Sequence, residues 1–214
     1  MITIAEVREI MGAHFIGREE FVRIADRFPV FIPAEIARIP FKKEVLERHR
    51  DTHMLVWGPA ADAAGSPLTI NRCREMFGWD PVIGEPCMYN QDWYLKETFA
   101  SETTLENKWY LIAKSVEEKT RSVAPSEIQN NFDSHEQFPS AILTTVTFFA
   151  HYFLTGGDVL WKNDFVWCSD TDSNGDRIYT GRYEDPKGIN KHGFNIHRHL
   201  SLKSAHASAP LIVS

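Results

Sequence analysis

Two stretches of this chain hold residue types at spacings that could do chemistry. In Asp170-Thr171-Asp172-Ser173-Asn174-Gly175-Asp176, side-chain oxygens recur at alternate positions and a glycine follows, as in the first half of a calcium loop. The twelfth position of such a loop would be Gly181 instead of a bidentate glutamate, and the flanks have strand composition, so a polar hairpin turn is the simpler reading. On the other reading Asp170, Asp172, Asn174 and Asp176 present oxygens to calcium or to a small polar ligand from a strand–loop–strand. The second stretch contains His192, His197 and His199. Residues two apart on a strand share a face, so His197 and His199 could offer two nitrogens to one zinc, iron or manganese ion, with Arg198 between them as a ligand-binding cation. Such a site needs a third ligand, for which His151, Cys168 and Asp170 are the candidates, and Asp172 is a further carboxylate near it in the chain. A polar, half-exposed strand face would have the same pattern.

Other chemistry leaves little trace. There is no nucleophile elbow, no phosphate-binding glycine loop, no dinucleotide fingerprint and no zinc-protease helix. Cys87 follows Pro86 in a loop, and nothing near it specifies a base. Trp93, Tyr94, Trp109 and Tyr110 could form a stacking surface for a sugar or a base, or simply pack a core.

Composition narrows the classes. The 214 residues are 43% hydrophobic and 24% charged, an ordinary globular balance. A chain of this length buries roughly 70% of its unfolded surface and needs no covalent staples. The net charge of -6 and the lack of a basic block argue against a phosphate-tracking surface. The densest basic run, Lys42 to Arg50, is interleaved with Glu44 and Glu47 and reads as a solvated helix face. Three cysteines without short pairing fit reduced thiols. No basic-then-apolar leader opens the sequence, and its longest apolar run, Ala141 to Leu154, is broken by threonines and a histidine. The expected location is cytoplasmic, with no membrane partner.

The elements that must position these residues are partly marked by caps and periodicity. Thr3 and Glu6 form a capping box before a helix that Gly12 stops, and a second short helix is expected from about Arg18 to Phe28. Pro29, Pro33 and Pro40 break the next stretch. A helix from Lys42 to Arg50 should lead into a buried strand at His53 to Trp57, and Thr69 should cap a helix closed by Gly78. Trp109 to Ala113 reads as a strand, and Ser140 to Leu154 as an apolar helix. Strands are then expected from Phe165, across the Asn174-Gly175 turn into Arg177 to Tyr183, and from Gly193 to Leu202. The fold class is α+β, with a helical N-terminal portion packed on a small antiparallel, loop-rich C-terminal sheet. Glu117 to His135 is the candidate boundary between a portion 1–120 and a portion 121–214, which could equally form one integrated domain.

Three segments of the C-terminal third resemble bacterial C-type-lectin-like domains, a group that includes the formylglycine-generating-enzyme-like and Fibrobacter paralogous families. Phe138-Pro139-Ser140-Ala141 resembles their helix start, Phe165 to Ser169 their tryptophan-bearing strand, and Gly193 to Arg198 their closing strand. The resemblance implies a loop-rich fold that displays a binding surface on the loops Asp170 to Asp176 and Glu184 to His192. It does not imply copper-dependent oxidase activity, because Cys168 stands alone. The expected function is therefore non-catalytic binding of a protein or small polar ligand through C-terminal loops. The alternatives are a metal-dependent enzyme using His197 and His199, and a nucleic-acid-associated regulator using the N-terminal helix pair. The acidic balance makes nucleic acid the least favoured partner. No cofactor is firmly implied; calcium or a first-row transition metal are the candidates.

Overall fold

The computed structural model describes residues 2–183, 193–198 and 201–214. The whole Glu184 to His192 loop, His192 included, and His199 and Leu200 lie outside the described residues; the strand expected from Gly193 to Leu202 is strand over Asn195–Arg198, and Ser201 and Leu202 are not strand.

The chain opens with helix α1 (Ile4–Met11), for which Thr3 and Glu6 form the expected capping box. Strand β1 (Phe15–Ile16) follows a short 3-10 turn, and helix α2 (Arg18–Arg23) begins directly after it. The two N-terminal helices are thus separated by a strand of the sheet, and their charges are drawn together: Arg8 pairs with Glu20 at 2.8 Å and with Glu19 at 3.0 Å. Helix α3 (Lys43–His49), strand β2 (His53–Gly58), helix α4 (Ile70–Phe77), the single turn α5 (Thr98–Ser101) and strand β3 (Lys108–Ala113) complete the first half. Then come α6 (Pro125–Asn130), β4 (Glu136–Gln137), α7 (Ala141–Thr155), β5 (Phe165–Thr171), β6 (Arg177–Gly181), β7 (Asn195–Arg198), β8 (His206–Ala207) and β9 (Leu211–Ile212).

Two mixed sheets result, and the fold is α+β. The first has the order β1-β2-β3-β9-β4, parallel only between β1 and β2. The second has the order β7-β6-β5-β8, parallel only between β5 and β8. The N-terminal portion contributes three strands as well as helices. Strand β9, near the C-terminus, pairs Leu111 with Ile212 and so inserts between β3 and β4.

Helix α7 is the axle of the molecule. It is buried at every position from 141 to 150 and packs on β2, α4 and α5 from the first half and on β5 and β6 from the second. A helix buried on all sides has no solvent face to offer, which is why its sequence carries no charged residue and its polar positions are threonines and one histidine. One hydrophobic cluster runs from Val7 to Ile212, with Phe77 and Phe149 stacked at 3.9 Å and Phe148 set against Phe194 at 4.6 Å. A smaller cluster of Ile128, Phe138, Phe165, Trp167 and Tyr179 fills the far side of the second sheet. Among the described residues no helix is long and apolar enough to cross a membrane.

Candidate functional site

The acidic loop is a tight hairpin turn whose central carboxylate is spent on the protein itself. Asp172 Oδ1 accepts the amides of Asn174 and Asp176, each at 2.9 Å, and Oδ2 accepts Arg198 Nη1 at 2.9 Å. The Asp172 side chain is fully buried. Burial raises its carboxyl, but Arg198 and the two amides outweigh that and hold it below the usual carboxylate range. Asp170 turns another way: its Oδ2 accepts the Ala141 amide and ties β5 to the start of α7, and burial raises its pKa. Asn174 and Asp176 are exposed and act here through their backbones. The loop brings Asp172 and Arg198 together and leaves the other nominated oxygens apart. We expect Asp172→Ala to destabilise the hairpin by about 2–3 kcal/mol, because it unpairs two amides and a guanidinium together. Chemical denaturation should report the same loss with and without calcium; a deficit confined to calcium buffer would restore the cation reading.

His197 lies flat on Tyr179, with ring centroids 5.5 Å apart and planes 5° from parallel, and its Nδ1 accepts the Arg198 amide at 2.9 Å. Among the described residues no group of three or more histidine, cysteine, aspartate or glutamate side chains could hold a metal ion. The three cysteines are free and buried, and burial pushes the Cys87 thiol up to about 11 and the Cys73 thiol to about 12, far from a reactive thiolate.

Tracing Arg198 outward leads to a different place. Its guanidinium sits 5.1 Å from the Trp93 ring, and the Trp93 indole Nε1 donates to the Ile196 carbonyl at 3.3 Å and to Gln91 at 3.1 Å. Glu97 accepts the amide and hydroxyl of Ser173, fastening the same segment to the hairpin. The second sheet therefore braces the 90–97 segment from behind. A further brace lies at Gly193, whose φ of +127° and close approach to the Met88–Tyr89 backbone leave no room for a side chain; beside it the Tyr89 amide donates to the Phe194 carbonyl and the Phe194 amide to the Cys87 carbonyl, each at 2.8 Å.

In front of this segment lies an open cleft of about 730 Å³, walled by α4 on one side and by 90–96 on the other. Two indoles line it: Trp93, half-buried, and Trp79, 47% exposed just past the end of α4. Asn71, Arg74 and Glu75 share one face of α4, at spacings of three and four residues, and point to the same cleft. The Arg74 side chain is only 8% exposed; its Nη2 donates to Asp92 at 2.6 Å and its guanidinium lies 4.6 Å from the Trp79 ring. Its Nη1 has no protein partner. Nor has Asn71 Oδ1, although Asn71 Nδ2 donates to the Leu95 carbonyl at 2.8 Å. The phenol of Tyr94, the residue after Trp93, also lacks a partner but belongs to the core and not to the cleft lining, and burial raises its pKa to about 12. Lys96 and Glu75 stand at the cleft's rim, so cations and carboxylates are balanced.

Of the four aromatic residues flagged as a stacking surface, Tyr94, Trp109 and Tyr110 are buried, and of the four Trp93 alone lines this cleft. Sequence reasoning missed Asn71, Arg74 and Trp79. The one available signal was the pair of polar residues at i,i+3 flanking the apolar stripe of α4. No protein-family model, curated protein or solved structure matches the chain.

Proposed function

We propose that this protein binds a small polar ligand without transforming it, in the cleft between α4 and the 90–96 segment. The carrying observation is the pair of buried polar atoms without protein partners, Arg74 Nη1 and Asn71 Oδ1, on side chains that line a cleft with two indoles. A buried donor or acceptor left unpaired costs about 1–3 kcal/mol, and such groups in folded proteins call for an explanation. A ligand that pairs them while laying an apolar face on an indole supplies one. Binding clefts of this type combine aromatic walls with a few placed polar groups. In this reading the C-terminal residues Asp172 and Arg198 act by holding Trp93 in place.

A screen of sugars, nucleosides, amino acids and other small metabolites, followed by the indole signals of Trp79 and Trp93 in NMR spectra, tests this. Hits should move both indoles. Trp79→Ala, at a half-exposed position, should leave the fold intact and weaken such hits by about 2 kcal/mol, roughly thirtyfold. Hits that bind Trp79→Ala as well as they bind the parent would sink the reading.

A further inference from the structure

The pattern of hydrogen-bonding capacity around the cleft narrows the ligand beyond its size and polarity. We infer, resting on the binding function just proposed, that the ligand carries a carboxylate with a hydrogen-bond donor on the adjacent carbon: an α-amino or α-hydroxy acid. Arg74 Nη1 is donor-only, and it belongs to a side chain more than nine-tenths buried at the cleft wall with no protein acceptor. A buried, permanently charged donor left without an acceptor at the cleft wall is matched by a carboxylate oxygen. Asn71 Oδ1 is acceptor-only and unpaired, one helical turn before Arg74 on the same face of α4. It suits an ammonium or hydroxyl on the α-carbon, and Asp92, held at 2.6 Å from Arg74 Nη2, places a carboxylate near the same point.

The rest of the cleft agrees with a head group of mixed charge. A bare anion would meet Asp92 and Glu75, and a bare cation would meet Arg74 and Lys96; a ligand with a carboxylate and an adjacent donor satisfies both sets. The indoles of Trp79 and Trp93 then remain for an apolar or aromatic side chain. Trp79 lies against the Arg74 guanidinium and is half exposed, so its ring is the part of the wall that must shift to admit the carboxylate.

Isothermal titration of the full chain with phenylalanine, phenyllactate, phenylalaninamide and phenylalaninol tests this on the unaltered protein. The two acids should bind, and the amide and the alcohol should bind roughly tenfold or more weakly, because the charge-assisted bond to Arg74 is lost. Arg74→Lys, which keeps the charge but not the paired donors, should erase most of that discrimination. Equal binding of acid, amide and alcohol would overturn the carboxylate inference while leaving the cleft as a binding site. Absence of binding by both acids, in a protein whose Trp79 and Trp93 signals respond to other compounds, would also overturn it and leave the broader function standing. If nothing in either panel moves the indoles, both fail.

Discussion

Alanine at Phe149 should cost about 3–5 kcal/mol, the largest loss expected from a single truncation in this chain. Phe149 is completely buried on α7, stacked on Phe77 of α4 at 3.9 Å, and 6.0 Å from Phe194 just ahead of β7. The loss combines transfer of the ring with a cavity that close-packed neighbours cannot fill. Its position makes the result informative beyond its size. Because the ring touches both the α4 region and the approach to the second sheet, hydrogen exchange should show protection falling in β2 and in β6 together. Loss confined to one sheet would mean that the portions on either side of residue 120 open independently. Since α4 also carries Asn71 and Arg74, the same variant should blunt ligand binding in the cleft through positioning.

Stability should also fall by about 3 kcal/mol as the pH drops from 6.5 to 4, and His53 should account for it. His53 is 7% exposed, and burial first, then the neighbouring His49, push its pKa down to about 4. Its Nδ1 lies 2.8 Å from the Thr52 hydroxyl and 3.3 Å from His49 Nδ1, so a proton there must sit beside a second imidazole in a site shut off from water. In the unfolded chain the same imidazole protonates at its ordinary value near 6.5. Between those two values the unfolded state binds more protons than the folded one, and each step down in pH favours unfolding. Above 6.5 both states are neutral at this residue and the contribution is flat. Urea denaturation over that range should give a sloping profile for the parent protein and a flatter one for His53→Leu. An unchanged slope in the variant would assign the acid sensitivity to other groups.

The strengths and limits of the sequence reading follow the range of the interactions involved. Thr3 and Thr69 were recognisable as caps because each bonds an amide three residues on, within its own segment; Ser140, read as the first helical residue, caps α7 in the same way. Strand β2 was recognisable from a short apolar run, and α7 from a long one. The second helix proved shorter than the expected Arg18 to Phe28 because Ile24 leaves helical geometry and tightens into turns that close on Phe28. The strand β1 was invisible: two residues, Phe15 and Ile16, carry no period, and they form a strand only because β2 lies beside them.

The candidate site was harder still. The aspartates at 170 and 172 attracted attention by type and spacing, and on a regular strand they would share a face; β5 is irregular between Trp167 and Thr171 and ends there, and each aspartate found a different partner. Residues of the cleft come from 71 to 96, a stretch with no motif, and their importance lies in atoms left unpaired.

By itself the sequence determined the α+β class, the capped ends of the main helices, the apolar axle α7 and the acidic hairpin, all of which rest on bonds and periodicities within a few residues. Only the tertiary structure decided that β9 enters the first sheet, that Arg198 neutralises Asp172 and braces Trp93, and that Arg74 is buried with a free N–H at an open cleft. Pairing and burial depend on which distant segments arrive at the same place, and no local pattern encodes which polar atoms will arrive without a partner.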